Sequence, residues 1–280
     1  MSTSTAPTPL DTGRLVPGPR PAMSFGQRLS AAMTHHWAVY RRTWGGPLIE
    51  RFLSPRLFLG PLGLGLGALV DRGSGGVGGV PYLQFVVPVI IADQGAMLGF
   101  AESAWPVLGY FKWTKMYAAK AATPLHVGDI LLGHVAVLAF QVAVATAVFV
   151  AVAAVFGAFA SWWIVLAVPI GLLVGLAFAT PMFAVSARVQ DDSIYGILGR
   201  FVLTPILLFS GTFFPISQLP PWLEPLAWVT PLWHGVVLMR SAAAGVWPGP
   251  TAWLHLAALL IFIVGGYLLA LRGFRRRLRS

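Results

Sequence analysis

The stretch Ala121 to Ala187, AATPLHVGDILLGHVAVLAFQVAVATAVFVAVAAVFGAFASWWIVLAVPIGLLVGLAFATPMFAVSA, holds a single formally charged residue, Asp129. At about 20 residues per crossing it is long enough to traverse a bilayer twice. The rest of the chain has the same character. Of its 280 residues 57% are hydrophobic and only 10% are Asp, Glu, Lys or Arg, against about 25% in soluble domains. A globule of this size has too few polar side chains to cover its outside. The composition therefore excludes a water-soluble enzyme and predicts an all-α membrane protein.

Working outward from that stretch, Asp129 to Phe156 is the third of six predicted transmembrane helices and Trp162 to Ser186 the fourth, with Trp162 and Trp163 suited to an interfacial belt. Before them lie a first span from Ile49 to Val70, with Arg51 and Arg56 placed to snorkel, a Gly-rich loop from Asp71 to Val80, and a second span from Tyr82 to Ala104. After them, Arg188 to Ser193 makes a turn, Ile194 to Thr212 a fifth span and Ala252 to Leu271 the last. Phe213 to Pro250 is apolar yet cut by seven prolines. It reads as short re-entrant outer helices rather than another crossing.

Residues 1–22, rich in Ser, Thr, Pro and Gly, read as a disordered cytoplasmic tail without the apolar core of a signal peptide. Residues 23–48 form an amphipathic N-terminal interfacial helix, with Phe25, Leu29, Met33, Trp37, Tyr40 and Trp44 on one face and Arg28, His35 and Arg42 on another. Residues 49–280 are then the six-helix transmembrane domain. If the N-terminus is cytoplasmic, seventeen of the nineteen basic residues fall inside and only Arg72 and Arg240 outside. The positive-inside rule thus places both the N and C termini in the cytoplasm and the chain in the plasma (inner) membrane. The net charge of +10 reports topology rather than a nucleic-acid partner.

Catalytic signatures are missing. No lysine follows the glycine of a P-loop, no HExxH or GxSxG occurs, and Cys is absent. His35 and His36 are adjacent on a helix and point to different sides, so no metal site is expected. Ionisable groups at membrane depth carry more information. Asp93 and Glu102 either line a translocation path or serve as structural partners for Arg200 or a backbone group. An ion-coupled secondary transporter would use the two carboxyls. Gly63 and Gly67, Gly95 and Gly99, and Gly171 and Gly175 are GxxxG pairs that let helices approach closely. From Trp105 to Val127, Tyr110, Phe111, Trp113, Met116 and Tyr117 alternate with Lys112, Lys115 and Lys120 before Pro124. That pattern fits a short helix on the inner headgroups, which either presents a surface to a soluble partner or only sets topology.

Three stretches in order resemble the ABC type-2 exporter permeases, in particular the branch similar to nodulation-factor and daunorubicin exporter permeases. The first is Tyr82, Phe85 and Pro88, then Glu102, Pro106, Tyr117, Thr123, Pro124, Leu125, Asp129, Ile130, Leu131 and Gly133. The second is Ser210, Gly211, Phe214, Pro215, Leu219, Pro220, Trp222 and Leu223; the third is Pro231, Leu232, His234 and Arg240.

The resemblance implies a membrane subunit that pairs with a second permease copy or paralogue and with two separate ABC ATPase subunits. ATP and Mg would sit on those partners and no cofactor on this chain. It further implies ATPase coupling through Trp37, Arg41 and Arg42 of the first helix and through Lys112, Trp113, Lys115, Tyr117, Lys120, Thr123, Pro124 and Asp129. Gly211, Phe214, Pro215, Pro220, Trp222 and Pro231 would belong to the outer helices. The expected cargo is a hydrophobic or amphipathic compound moved outward, with a lipid-linked saccharide as the alternative. A saccharide path would be expected to carry stacked aromatic rings, and the spans are mostly aliphatic.

Overall fold

A computed structural model of the chain describes residues 23–46, 49, 53, 57, 59–77, 79–211 and 224–279. Among them every regular element is helical, apart from one isolated bridge between Val77 and Val80. Helix α1 spans Phe25–Thr43; the π-helical turns Gly60–Gly67 run into α2, Ala68–Ser74. Next come α3 (Tyr82–Lys112), α4 (Met116–Ala121) and α5 (Val127–Val155). The 3-10 turn Trp162–Leu166 leads into α6 (Ala167–Ser186), and α7 (Ser193–Leu198) continues through π-helical Gly199–Leu203 into α8 (Thr204–Phe209). Helices α9 (Glu224–Val229), α10 (Pro231–Ala244) and α11 (Thr251–Arg279) complete the chain.

Among the described residues, four helical segments are long and apolar enough to cross a membrane: Tyr82–Lys112, Val127–Val155, Trp162–Ser186 and Thr251–Arg279. Ser193–Phe209 is shorter, and the first expected span is described only in part. Its helical end runs through Asp71 to Ser74, where Gly75 at φ +71° stops it, so the expected loop begins later than Asp71.

Other boundaries also move. Helix α3 does not end at Ala104 but passes through Pro106 to Lys112. A helical proline deletes one ladder bond, and the flanking turns packed in a bundle hold the helix together around it. Tyr110, Phe111 and Lys112 consequently belong to the end of α3, and only Met116–Ala121 forms the separate short helix. Helix α11 likewise continues past Leu271 to Arg279. Between the fifth and sixth expected spans, where short helices and turns are expected, α10 is an unbroken helix packed against α3, α6 and α11.

The centre of the bundle is α6, packed most extensively on α3 and α11. Its approach to α3 matches two glycine pairs. A Cβ on Gly95 would lie 2.9 Å from the Gly171 carbonyl oxygen, and one on Gly99 would overlap the Gly175 carbonyl. Missing side chains let the backbones touch, where interlocking larger residues would hold them apart. On the other side Gly266 of α11 sits against Thr180 and Pro181. Val87, Val89, Ile91, Val174 and Leu232 fill the space between these helices.

Candidate functional site

Helix α1 starts at Ser24, whose hydroxyl accepts from the Gln27 amide while the Gln27 side chain accepts from the Ser24 amide. The helix then lies along α5. The side that seals the contact is not the aromatic stripe: Phe25 and Trp44 are more than half exposed, whereas Ala32 and His36 are buried. Small residues permit this, since a Cβ on Gly133 would lie 2.8 Å from Ala32 Cβ. Trp37 and Tyr40 reach around to Phe140, with ring centroids 5.2 Å and 5.8 Å away.

Two polar contacts fasten this helix. The Arg28 Nε donates to Asp129 Oδ2 at 3.0 Å, and the same carboxylate accepts from the His126 amide at 3.1 Å at the start of α5. The Lys120 Nζ donates to the Ala32 carbonyl at 2.7 Å. Burial holds the Lys120 amine down at about 8. Helices α1, α4 and α5 are thereby stitched into one corner.

Behind the corner is an aromatic and imidazole cluster. His36 stacks on His134 at a centroid distance of 4.1 Å, and the edge of Tyr110 meets both. Tyr117 is fully buried, and its hydroxyl lies 2.6 Å from His134 Nδ1. Burial raises the Tyr117 phenol well above its ordinary value, keeping it protonated, and burial with neighbouring His134, Lys120 and His35 keeps the His36 imidazole neutral.

The coupling residues expected from the sequence divide into two groups. Arg41, Arg42, Lys112, Trp113, Lys115, Thr123 and Pro124 are exposed, and Trp37 is partly so. Lys115 stands at φ +49° where the chain turns from α3 into α4, Lys112 Nζ donates to the Gln190 carbonyl at 3.3 Å, and Thr123 caps the Lys120 carbonyl at 2.6 Å. Tyr117 and Asp129 are buried, and Lys120 is turned inward. These three side chains face the packing between α1, α4 and α5.

Of the alternatives open for the carboxyls, pairing of Asp93 with Arg200 is not formed among the described residues. Asp93 Oδ1 is shut from solvent with no hydrogen-bond partner among the described residues, while Arg200 is exposed on the π-helical turn. Glu102 is partly buried and faces a cavity beside α1. At the other end of the bundle, Gly211 turns the chain at φ +81°, and its carbonyl accepts from Arg240 Nη2 at 2.7 Å, with the guanidinium over Phe85. Pro231 opens α10 behind the Thr230 cap. Phe214, Pro215, Pro220 and Trp222 lie outside the described residues, as do residues 1–22.

Sequence reasoning missed Ala32, His126 and His134, and weighed His36 only as a metal ligand beside His35. A small residue and two isolated histidines carry no spacing signal; only the fold brings His36 and His134 together. No group of three or more His, Asp or Glu suited to a metal occurs among the described residues.

Residues 30–243 match the ABC-2 type transporter family. The chain belongs to this family. It is similar to Nodulation protein J of Sinorhizobium fredii, at 32% identity over 89% of this chain and 94% of that protein. It is also similar to Nodulation protein J of Rhizobium leguminosarum bv. trifolii, at 32% over 89% and 93%. The inner membrane transport permease YadH of Escherichia coli is 26% identical over 82% of this chain and 88% of that protein. The protein is thus an ABC-2 permease, a multi-pass protein of the inner membrane and a transporter's membrane subunit. Membership implies that the permease works with an ATPase subunit.

Proposed function

We propose that this permease is the membrane-spanning half of an ATP-binding cassette exporter that moves a hydrophobic or amphipathic compound, drug-like or lipid-like, outward across the plasma membrane. In this reading the chain crosses six times with both termini in the cytoplasm. It pairs with a second permease copy or paralogue and is driven by two separate ATPase subunits that carry ATP and Mg, while the chain itself binds no cofactor and performs no hydrolysis.

The observation that supports it is the double fastening of α1 and α4 to the base of α5, Arg28 on Asp129 and Lys120 on the Ala32 carbonyl. ATPase coupling would act at the exposed outer side of this corner, through Trp37, Arg41, Arg42, Lys112, Trp113, Lys115, Thr123 and Pro124. A push there would be passed to α5 as rigid-body tilting rather than melted in a loose loop. Asp93 and Glu102 would contribute to the polar lining of the path.

Reconstitution of the permease with its partner ATPase tests this. Lys115→Glu combined with Pro124→Gly is expected to abolish stimulation of ATP turnover and transport together. Undiminished stimulation with normal transport overturns the coupling surface, and pumping by the permease with no ATPase overturns the whole reading.

A further inference from the structure

Helix α11 is 29 residues long, about 43 Å at about 1.5 Å per residue. The hydrocarbon core of a bilayer is about 30 Å thick, and the headgroups widen it to about 40–45 Å. A helix of this length reaches through a headgroup layer as well as the core. The residues that do so at its end are Leu271 to Arg279, LRGFRRRLR.

Two sides of this end have different tasks. Arg277 turns inward: its Nη1 donates to the carbonyls of Ser186 and Val189 at 2.8 Å and 2.9 Å, and its guanidinium lies 4.3 Å over the Phe111 ring. Phe274 is fully buried, and a Cβ on Gly273 would lie 2.9 Å from Ala187 Cβ. That side is clamped to the end of α6. The other four arginines, Arg272, Arg275, Arg276 and Arg279, are exposed. Their spacing of i, i+3, i+4 and i+7 sets them on one face of the helix.

The same face can be followed back into the membrane. Leu254, Ile261 and Leu268 precede Arg275 at steps of seven, and all three are about half exposed or more. Gly265, seven before Arg272, has open space where a Cβ would stand. An apolar stripe without protein contacts on a spanning helix lies against acyl chains. It changes to arginine where acyl chains give way to phosphates. Topology asks only for bases near the end of a span, not for their alignment on its lipid-facing side. A solvated helix face carries charges of both signs, yet no Asp or Glu follows Glu224 in the chain. None of the four arginines is in an ion pair among the described residues.

We infer that this arginine stripe is a binding site for anionic phospholipid headgroups. The phosphate oxygens accept from the guanidinium forks, and the acyl chains run along Leu268 and Ile261. Arg275 and Arg276, about 100° apart around the helix, can each hold a phosphate, with Arg272 and Arg279 one turn to either side. The site needs only that α11 crosses the bilayer; that it faces the cytoplasmic leaflet rests on the topology proposed above.

The test uses the full chain in dioleoylphosphatidylcholine vesicles carrying a trace of acyl-chain spin-labelled phosphatidylglycerol or phosphatidylcholine. Electron spin resonance separates lipid held on the protein from free lipid. The unaltered chain is expected to hold phosphatidylglycerol at least about threefold more strongly and to lose most of that preference in about 0.5 M sodium chloride. Arg272→Gln, Arg275→Gln, Arg276→Gln and Arg279→Gln together are expected to abolish it, and Arg275→Gln with Arg276→Gln to remove at least half. Arg41→Gln, Arg42→Gln, Arg188→Gln and Arg200→Gln together remove as much charge from exposed positions elsewhere and are expected to leave most of it. Equal holding of the two lipids by the unaltered chain, or equal loss in the two fourfold variants, overturns the proposal. Sodium phosphate that displaces more than sodium chloride of the same ionic strength would assign the stripe to free phosphate, and a preference that vanishes when the partner ATPase is added would assign it to that protein; either overturns the lipid site. The chain has no cysteine, so Ser280→Cys with an impermeant maleimide reads the side of its end. Labelling from outside with the preference intact keeps the site and loses the topology; labelling from the cytoplasmic side with no preference loses the site alone.

Discussion

Arg28 and Asp129 stand 101 positions apart in the chain and 3.0 Å apart in space. The pair joins the amphipathic first helix to the base of a transmembrane helix, and Asp129 is nearly buried while the Arg28 side chain is about a quarter exposed. Asp129→Asn keeps the volume and removes the charge. It is expected to weaken docking of α1 by about 1–2 kcal/mol, in line with loss of a charge-assisted hydrogen bond at a partly solvated site. Hydrogen exchange at α1 amides checks this: accelerated exchange over Phe25–Thr43 with an unchanged α3–α6 core is the expected pattern, and unchanged α1 protection refutes it.

The adjacent glycines of α11 offer a cleaner packing test. A Cβ on Gly266 would fall 2.5 Å from Pro181 N and 2.6 Å from Thr180 Oγ1, whereas one on Gly265 meets nothing within 4 Å. Gly266→Ala is expected to lower stability by about 1–3 kcal/mol through overpacking. Gly265→Ala should be neutral or slightly stabilising from its helix propensity. Thermal denaturation in detergent separates the two, and equal melting temperatures would contradict the α6–α11 contact.

Lys115 combines two features that a variant can separate. Its left-handed backbone costs an L-residue about 1–2 kcal/mol that glycine does not incur. Lys115→Gly is therefore expected to preserve or raise the melting temperature, while Lys115→Glu keeps the strain and reverses the charge. If the charge matters to the partner, both variants lose ATPase stimulation although only the glycine variant relieves the strain.

The lowered Lys120 value makes a pH prediction with a definite sign. The folded chain releases this proton near pH 8, the unfolded chain near the ordinary 10.5. Between those values the unfolded state binds more protons, so the contribution of Lys120 to stability rises with pH through that window. The melting temperature of the native chain minus that of Lys120→Met is expected to increase from pH 8 to pH 10; a flat or falling difference would show that the amine is not held in the corner.

Much of the helical layout is legible in the amino acids. The apolar run on either side of the Gly157 to Ser161 connection specifies two crossings, because burying backbone in lipid leaves helix as the satisfying structure for a single segment. The limits Trp162 to Ser186 follow from it. The break at Pro124 is equally local. Asp129 was legible as a notable residue, being the lone charge in its stretch, but not as the partner of Arg28.

Other features resisted such reading for a physical reason. The prolines within α3 look like stop signals, yet neighbouring helices hold the chain helical through them to Lys112. The aromatic stripe of α1 marks an interfacial helix but not the side that meets the bundle, where Ala32 packs against Gly133 by close backbone approach. Asp93 and Arg200 have suitable charges, but Asp93 Oδ1 is shut from solvent and Arg200 is exposed.

What the sequence determined by itself is everything governed by short-range rules: solubility in lipid, helix type, most turns, and the clustering of bases near chain ends and loops. Only the tertiary structure decided that GxxxG of α3 meets GxxxG of α6, that Tyr117 faces inward, and that His36 and His134 close one cavity. Those are choices among many helix faces of nearly equal apolarity, and they are settled by which pairs of surfaces fit together in three dimensions.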